Sequence, residues 1–109
     1  PVRIEFAPGA ISDQVQGSLS TGGGARFVLT AAAGQEMRVY LTFPFEPDPT
    51  EPPAILIIWG EDGTVLLTDH VDAMTFQGEL PFTQDYIISV RSRSQDTIDF
   101  TLEVIIPAL

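Results

Sequence analysis

The stretch Leu80–Val90, with the sequence LPFTQDYIISV, decides the predicted fold because it joins a polar turn to an alternating strand. Successive side chains of a β-strand point to opposite faces, so Tyr86, Ile88 and Val90 share one face. Pro81 suits the turn, since proline cannot donate a hydrogen bond to a strand ladder. The pattern predicts a late, central strand of an antiparallel sandwich, with Tyr86 packed inward and its hydroxyl close to backbone at the end of the sheet.

Similar alternation recurs along the rest of the chain, and glycine, proline and aspartate mark the turns between the segments. The other predicted strands are Val2–Phe6, Gln14–Leu19, Arg26–Ala31, Met37–Phe43, Ala54–Gly60, Val65–Thr68, Thr75–Glu79 and Thr97–Ile106. Short strands at a spacing of about 8–12 residues are typical of a sandwich or barrel. We therefore expect one all-β domain over residues 1–109, an antiparallel jelly-roll-like β-sandwich of about eight or nine strands.

The charge balance narrows the range of partners. The chain has 15 acidic and 5 basic residues and a formal net charge of −10. Nucleic acids and anionic membranes are poor partners for such a surface, because phosphate contacts need clustered cations. The sequence has no cysteine, which excludes disulfides and thiolate metal sites. It also has no apolar run long enough to span a bilayer, so we expect no membrane insertion.

The residues that could support catalysis are few. His70 is the only histidine, and a Ser–His–Asp arrangement would need Asp69 or Asp72 and a serine beside it, with no nucleophile motif in support. Paired carboxylates such as Glu61-Asp62 fall on predicted loops, where solvent keeps carboxyl groups ordinary acids. We therefore expect that the protein is not an enzyme.

Calcium is the one metal ion whose preferred ligands the chain supplies, because calcium binds oxygens from flexible loops. The weak candidate ligands are Asp48, Asp62, Asp69 and Asp72, with Glu46 and Glu51 nearby in sequence. They do not form the D-x-D-x-D-G pattern of a calcium loop. A solvated acidic rim is the simpler interpretation, so we expect no cofactor, with calcium as the alternative.

Large apolar residues at predicted outward positions give the sharpest functional signal. If Leu56 and Ile58 face the core, the residues that alternate with them face outward. The predicted partner-binding surface comprises Ile55, Ile57 and Trp59, with Tyr40 and Ile87 from other strands. An outward apolar face is unusual for a free monomer. The sequence leaves one alternative open, a one-residue register shift that would place Ile55, Ile57 and Trp59 in the core.

The chain also resembles a known family, the bacterial pre-peptidase C-terminal (PPC) domains, from about Ile4 to Ile106. The similarity lies in the order of Gly17-Ser18-Leu19, Phe27–Ala31, Ala33-Gly34-Gln35, Asp62-Gly63, Leu80-Pro81, Thr83, Asp85-Tyr86, Val90 and Phe100-Thr101-Leu102. The resemblance implies a jelly-roll-like sandwich that accompanies secreted enzymes and surface proteins without being catalytic. Inhibitors of goose-type lysozyme are similar to the same broad family. The proline-rich, acidic segment Pro44–Pro53 departs from the family pattern.

These observations predict a non-catalytic module of a secreted or cell-surface bacterial protein. We expect it to contact another protein or copies of itself, including self-assembly through the apolar face or through an open sheet edge. The alternative is a target-binding domain for a glycan stacked on Trp59 and Tyr40, or for a lysozyme-type enzyme blocked by an acidic loop. A glycan is less favoured, because Ile55 and Ile57 are not the polar neighbours that sugar binding needs.

Overall fold

A computed structural model describes residues 2–48 and 50–108. Within these ranges the chain forms nine strands and one short 3₁₀ segment, Asp69–Val71. The strands are β1 (Val2–Arg3), β2 (Ser12–Leu19), β3 (Gly24–Ala31), β4 (Glu36–Thr42), β5 (Ala54–Gly60), β6 (Val65–Leu67), β7 (Thr75–Glu79), β8 (Gln84–Ser92) and β9 (Ile98–Ile105). The described part of the chain contains no helix long and apolar enough to cross a membrane.

Two sheets pack face to face to form the sandwich. Among the described strands, a five-stranded sheet has the order β1-β3-β8-β5-β6 and a four-stranded sheet has the order β2-β9-β4-β7. All neighbours are antiparallel except β1 and β3, which pair in parallel. The predicted all-β sandwich is confirmed. The first predicted strand is shorter than expected, since β1 ends at Arg3, although Ile4 still donates a backbone hydrogen bond to the Val28 carbonyl.

Strand β8 is the centre of the five-stranded sheet, as its alternation predicts. Tyr86, Ile88 and Val90 are fully buried. The Tyr86 hydroxyl donates to the Phe82 carbonyl oxygen and accepts from the Phe82 backbone nitrogen at 3.2 Å. This bond resembles the tyrosine corner of other sandwiches. It secures the turn before β8 to the strand and confirms the predicted place of the hydroxyl.

The core lies between the sheets, and aromatic residues from both sheets meet there. Phe27 of β3 and Phe100 of β9 contact edge to face, with ring centroids 6.3 Å apart. Gly17 of β2 lies under the Phe100 ring, where an added Cβ would come within 2.9 Å of the ring. The glycine therefore allows the ring to lie against the strand.

Strand β5 has the predicted register. Ala54, Leu56 and Ile58 belong to the core between the sheets. Because side chains alternate along a strand, Ile55, Ile57 and Trp59 point away from that core. The structure therefore decides between the two registers that the sequence left open.

Candidate interaction surface

The outward side chains of β3, β8 and β5 form one continuous surface on the five-stranded sheet. Trp59 lies opposite Ile87, and Ile87 lies opposite Val28 on its other side. Directly opposed residues of neighbouring strands share a face of the sheet. We call the outward residues Val28, Ile55, Ile57, Trp59 and Ile87 the apolar face. Val28 was not predicted as part of it, although its alternation with Phe27 and Leu29 was a signal for an outward position.

Exposure differs within the apolar face. Val28, Ile57, Trp59 and Ile87 are half-buried, whereas Ile55 is 0% exposed. The 3₁₀ segment Asp69–Val71 lies against β5. Its Asp69 carboxylate lies 3.8 Å from the guanidinium group of Arg91, the residue of β8 that pairs with Ile55. The accessible part of the apolar face therefore excludes Ile55.

The predicted grouping of Tyr40 with Trp59 is wrong. Tyr40 lies on β4, in the four-stranded sheet, between Glu103 of β9 and Thr75 of β7. The outer faces of the two sheets point in opposite directions, so one ligand cannot stack on both aromatic rings. The glycan site built on this pair therefore has no structural basis.

A cation covers the largest ring of the apolar face. The guanidinium carbon of Arg26 lies 5.4 Å from the centroid of the Trp59 ring. This distance is typical of a cation–π contact. In residues 2–48 and 50–108, Arg26 has no ion-pair partner. The Arg26 charge therefore belongs to the apolar face, a feature that strand alternation alone did not reveal.

A polar cluster borders the apolar face. Arg3 Nη2 lies 2.8 Å from Asp85 Oδ2, and Arg3 Nη1 donates to Thr30 Oγ1 at 3.2 Å. The Thr30 hydroxyl in turn donates to Asp85. The hydrogen bond from Arg3, followed by that from Thr30, lowers the pKa of Asp85. The cluster ties the short strand β1 to the sheet through charge-assisted bonds.

Two of the calcium candidates are turn-forming residues. Asp48 Oδ1 accepts hydrogen bonds from the backbone and hydroxyl of Thr50, at 2.9 and 2.7 Å. Asp62 Oδ1 accepts from the Thr64 backbone nitrogen at 2.9 Å. These bonds stabilise the charged carboxylates, so the pKa of Asp48 and the pKa of Asp62 both lie below the ordinary value. Each carboxylate therefore already has a local structural role.

The other two candidates, Asp69 and Asp72, face arginines. Asp69 Oδ2 lies 3.8 Å from Arg91 Nη1, and Asp72 Oδ1 lies 3.2 Å from Arg93 Nη2. His70 lies between the two aspartates in sequence, and its side chain is 92% exposed. In the described ranges no three residues of the types His, Cys, Asp or Glu lie close enough together to hold a metal ion. This corner is an open ion-pair network at the molecular surface.

A second exposed feature is the connection from β4 to β5. The rings of Phe43 and Phe45 stack with centroids 5.5 Å apart and an interplanar angle of 20°, and Phe45 remains 48% exposed. The side chains of Glu46, Asp48 and Glu51 are exposed beside it. We call Phe45, Glu46, Asp48 and Glu51 the acidic loop. It presents an aromatic ring and three carboxylates to solvent.

No protein-family model matches the chain, and no curated protein matches its sequence. Solved structures do match it over almost its full length. The periplasmic inhibitor of g-type lysozyme (PliG) from Aeromonas hydrophila superposes with a TM-score of 0.78 at 24% identity, covering 97% of this chain and 95% of the inhibitor. PliG from Salmonella Typhimurium matches with a TM-score of 0.71 at 18% identity, covering 97% and 96%.

A third solved structure is the pre-peptidase C-terminal domain of a collagenase from Bacillus anthracis. It matches with a TM-score of 0.64 at 11% identity, covering 94% of this chain and 92% of the domain. Similarity at these identities establishes a shared fold. The resemblance predicted from the sequence is confirmed at that level.

Proposed function

We propose that this chain is a non-catalytic β-sandwich module of a secreted or cell-surface bacterial protein and that it acts through protein–protein contacts. The observation that carries the proposal is the apolar face. An antiparallel sheet with one solvated side normally presents polar residues there. Here Ile57, Trp59 and Ile87 occupy central outward positions, with Arg26 over the tryptophan ring. Such a surface suits contact with another protein.

The size of the apolar face sets the strength of the contact that we propose. Burial of a few hundred Å² at about 25 cal/mol per Å² provides a gross free energy of roughly several kcal/mol, from which the cost of association is subtracted. That balance suits repeated contacts in an assembly, or docking to a neighbouring domain. A tight free dimer would need a larger interface.

The fold neighbours support the location and the class of partner. Two of them are periplasmic inhibitors, whose target, a g-type lysozyme, is itself a protein. The third is the pre-peptidase C-terminal domain of a collagenase. The two inhibitors are precedents for an extracytoplasmic role in protein binding.

Sedimentation over a range of protein concentrations tests the apolar face. We expect the parent to associate as its concentration rises and the double variant Trp59→Ser with Ile57→Thr to associate less, because both side chains contribute apolar area. The matched control is Tyr40→Ser with Thr42→Ala on the other sheet, which should associate like the parent.

Two results would contradict this proposal. One is association that is unchanged in the Trp59 and Ile57 double variant. The other is a parent that stays monomeric while the double variant unfolds, which would mean that the two residues serve the fold alone.

We propose as a second candidate an inhibitor of a lysozyme-type enzyme, which the acidic loop favours. The loop exposes Phe45 beside Glu46, Asp48 and Glu51 on a protein with a net charge of −10. Lysozymes are commonly basic, so charge complementarity would speed the encounter and orient the loop toward the cleft. The inhibitors among the fold neighbours add support.

Lysis assays with goose-type and other lysozymes test the second candidate. We expect the parent to reduce lysis, and we expect a loop variant with three acid-to-lysine changes to lose that effect. The loop changes are Glu46→Lys, Asp48→Lys and Glu51→Lys. The charge-matched control carries Glu5→Lys, Glu79→Lys and Asp96→Lys, at exposed positions outside the loop. Equal loss in both variants would show that net charge, and not the loop, explains the effect.

A further inference from the structure

The sheet edges of this sandwich differ in length. Among the described strands, the edges of the five-stranded sheet are β1 with 2 residues and β6 with 3 residues. In the four-stranded sheet the edges are β7 with 5 residues and β2 with 8 residues. Strand β2 reads SDQVQGSL, so it contains one charged residue and no proline. A long edge with few charges is a template for pairing with another strand.

The direction of the backbone groups of β2 follows from its hydrogen bonds. Ile106 donates its backbone N–H to the Ile11 carbonyl at 2.7 Å, just beyond the pair Ser12–Ile105. Bonding alternates along an antiparallel pair, so odd-numbered residues of β2 bond to β9. The even-numbered residues direct their N–H and C=O groups away from the sheet. They are Ser12, Gln14, Gln16 and Ser18.

Part of this edge is already occupied. The carboxylate of Asp13 accepts a hydrogen bond from the Gln14 backbone N–H at 2.9 Å. The backbone N–H groups of Gln16 and Ser18 have no hydrogen-bond partner in the described ranges. The register with β9 runs unbroken from Ser12 to Leu19, without a bulge that would bend the edge away. The open part of the edge is therefore centred on Gln16–Ser18.

We propose that two copies of this chain pair antiparallel along β2, about a two-fold axis that passes between their Gln16 residues. In this pairing each Gln16 exchanges backbone hydrogen bonds with the Gln16 of the second copy. Each Ser18 N–H donates to the Gln14 carbonyl of the second copy, so the Gln14 N–H keeps its bond to Asp13. The two four-stranded sheets become one continuous sheet. This interface is separate from the apolar face.

The edge is self-complementary, which favours a second copy as the partner. The outward side chains that meet are Gln14 with Ser18 and Gln16 with Gln16, so no like charges are opposed. The two Asp13 residues lie at opposite ends of the ladder, about 20 Å apart at about 3.4 Å per residue. That separation exceeds the Debye length of about 8 Å at physiological ionic strength. Electrostatic repulsion between two copies, each with a net charge of −10, still opposes the pairing. Because salt screens this repulsion, added salt should strengthen the pairing.

Disulfide trapping tests the axis directly, because the parent sequence contains no cysteine. In the proposed pairing the two Gln16 Cα atoms lie about 5.5 Å apart, within the range of about 4.4–6.8 Å that a disulfide spans. We expect Gln16→Cys to form a dimer on oxidation at least about tenfold faster than Gln77→Cys. Gln77 is the matched control, since it lies on β7 at the other edge of the same sheet.

A second measurement removes the edge donor. Gln16→Pro deletes an N–H that points away from β9, so the ladder with β9 keeps its bonds. Loss of two symmetric hydrogen bonds should raise the dimer dissociation constant by about tenfold or more in sedimentation. Gln16→Thr retains the N–H and should dimerise like the parent, as should Gln77→Pro.

Gln16→Cys that crosslinks no faster than Gln77→Cys overturns the proposal. Association as strong as the parent's in a folded Gln16→Pro variant also overturns it, and loss of that association in the Trp59 and Ile57 double variant would then assign it to the apolar face. If Gln16→Pro fails to fold, the comparison of the two cysteine variants decides.

Discussion

The outer faces of the two sheets differ sharply in polarity. The four-stranded sheet presents mainly polar side chains at Gln14, Gln16, Ser18, Arg38, Tyr40, Thr42, Thr75, Gln77, Glu79, Thr101 and Glu103. The five-stranded sheet presents the apolar face across its central strands. Both sheets bury their inner faces in one core, so the core does not account for the difference. Alternation between apolar and polar residues therefore describes β4 and β7 of the four-stranded sheet and fails in β5, where both faces are apolar.

The charges of the two outer faces also differ. The outward charged residues of the five-stranded sheet are Arg3, Arg26, Arg91 and Asp85. Those of the four-stranded sheet are Glu36, Arg38, Glu79, Asp99 and Glu103. Arg3 pairs with Asp85 and Arg91 lies beside Asp69. Among the described residues, Arg26 therefore carries the positive charge of this apolar face that has no ion-pair partner. The partner that we propose for the apolar face should therefore combine apolar and acidic groups.

The largest effect on stability is expected from a substitution in the core between the two sheets. Tyr86→Ala removes a fully buried ring and its bond to the turn, so the free energy of unfolding should fall by about 3–5 kcal/mol. Tyr86→Phe keeps the ring and should cost only about 1–2 kcal/mol. Denaturant titration measures both changes. A Tyr86→Ala variant as stable as the parent would contradict the shared core described above.

Changing isoleucine to threonine at two positions of the apolar face compares the stability of its buried part with that of its accessible part. Ile55→Thr places a hydroxyl in a fully buried site and should destabilise by about 2–3 kcal/mol. Ile57→Thr affects a half-buried site and should cost less than about 1 kcal/mol. Equal costs in denaturant titration would show that Ile55 is no more buried than Ile57 in solution.

A smaller effect is expected from the cation above the tryptophan. Arg26→Ala removes the contact with Trp59 and should reduce stability by about 0.5–1 kcal/mol, with a shift in tryptophan fluorescence. A double-mutant cycle with Trp59→Leu isolates the pair. Zero coupling energy between the two substitutions would mean that the contact contributes nothing to folding.

Low pH should destabilise the folded protein, because protonation of Asp85 removes its charge-assisted bonds in the five-stranded sheet. Its pKa is lowered from the ordinary value of 3.8 because Arg3 and Thr30 bind the charged form. A group whose pKa is lower in the folded state contributes stability above its unfolded pKa and loses it as the pH falls through the folded pKa. The advantage of the parent over Asp85→Asn should thus be complete above about pH 5 and decline below about pH 4.

The matched control for this pH effect is Glu36→Gln on the other sheet. The neighbouring Arg38 lowers the pKa of Glu36 through a hydrogen bond between side chains two residues apart. Such a pair stays close in the unfolded chain, so its pKa changes less on folding. Urea titrations of parent and variants across pH give the two curves. A pH-independent difference for Asp85→Asn would refute the assignment.

The smallest effect on thermal stability is expected from the addition or removal of calcium. The candidate ligands form turns or face arginines, and one continuous core closes without them. Thermal unfolding in chelator and in millimolar calcium should therefore give the same midpoint. A large rise with calcium would instead identify a binding site among the acidic loops, and Asp48→Asn and Asp62→Asn would locate it.

Much of the fold was predictable because strand alternation is a local property. The bounds of Ala54–Gly60 and Thr75–Glu79 match the predicted strands, and Tyr86 has its predicted contacts. The parallel pairing of β1 was not predictable from periodicity, since alternation is the same in parallel and antiparallel edges. The grouping of outward apolar residues was predicted in part, since Ile57, Trp59 and Ile87 lie together, whereas Val28 and the nearby Arg26 were missed.

The sequence by itself determined which side chains face inward, because the period of two along each strand separates the two faces without reference to the rest of the chain. Only the tertiary structure decided which strands became neighbours. Strand order depends on contacts between residues far apart in sequence, so it separated Tyr40 from Trp59 and placed Arg26 over the ring. The same long-range packing brought Asp69–Val71 against β5 and left β2 at an open edge.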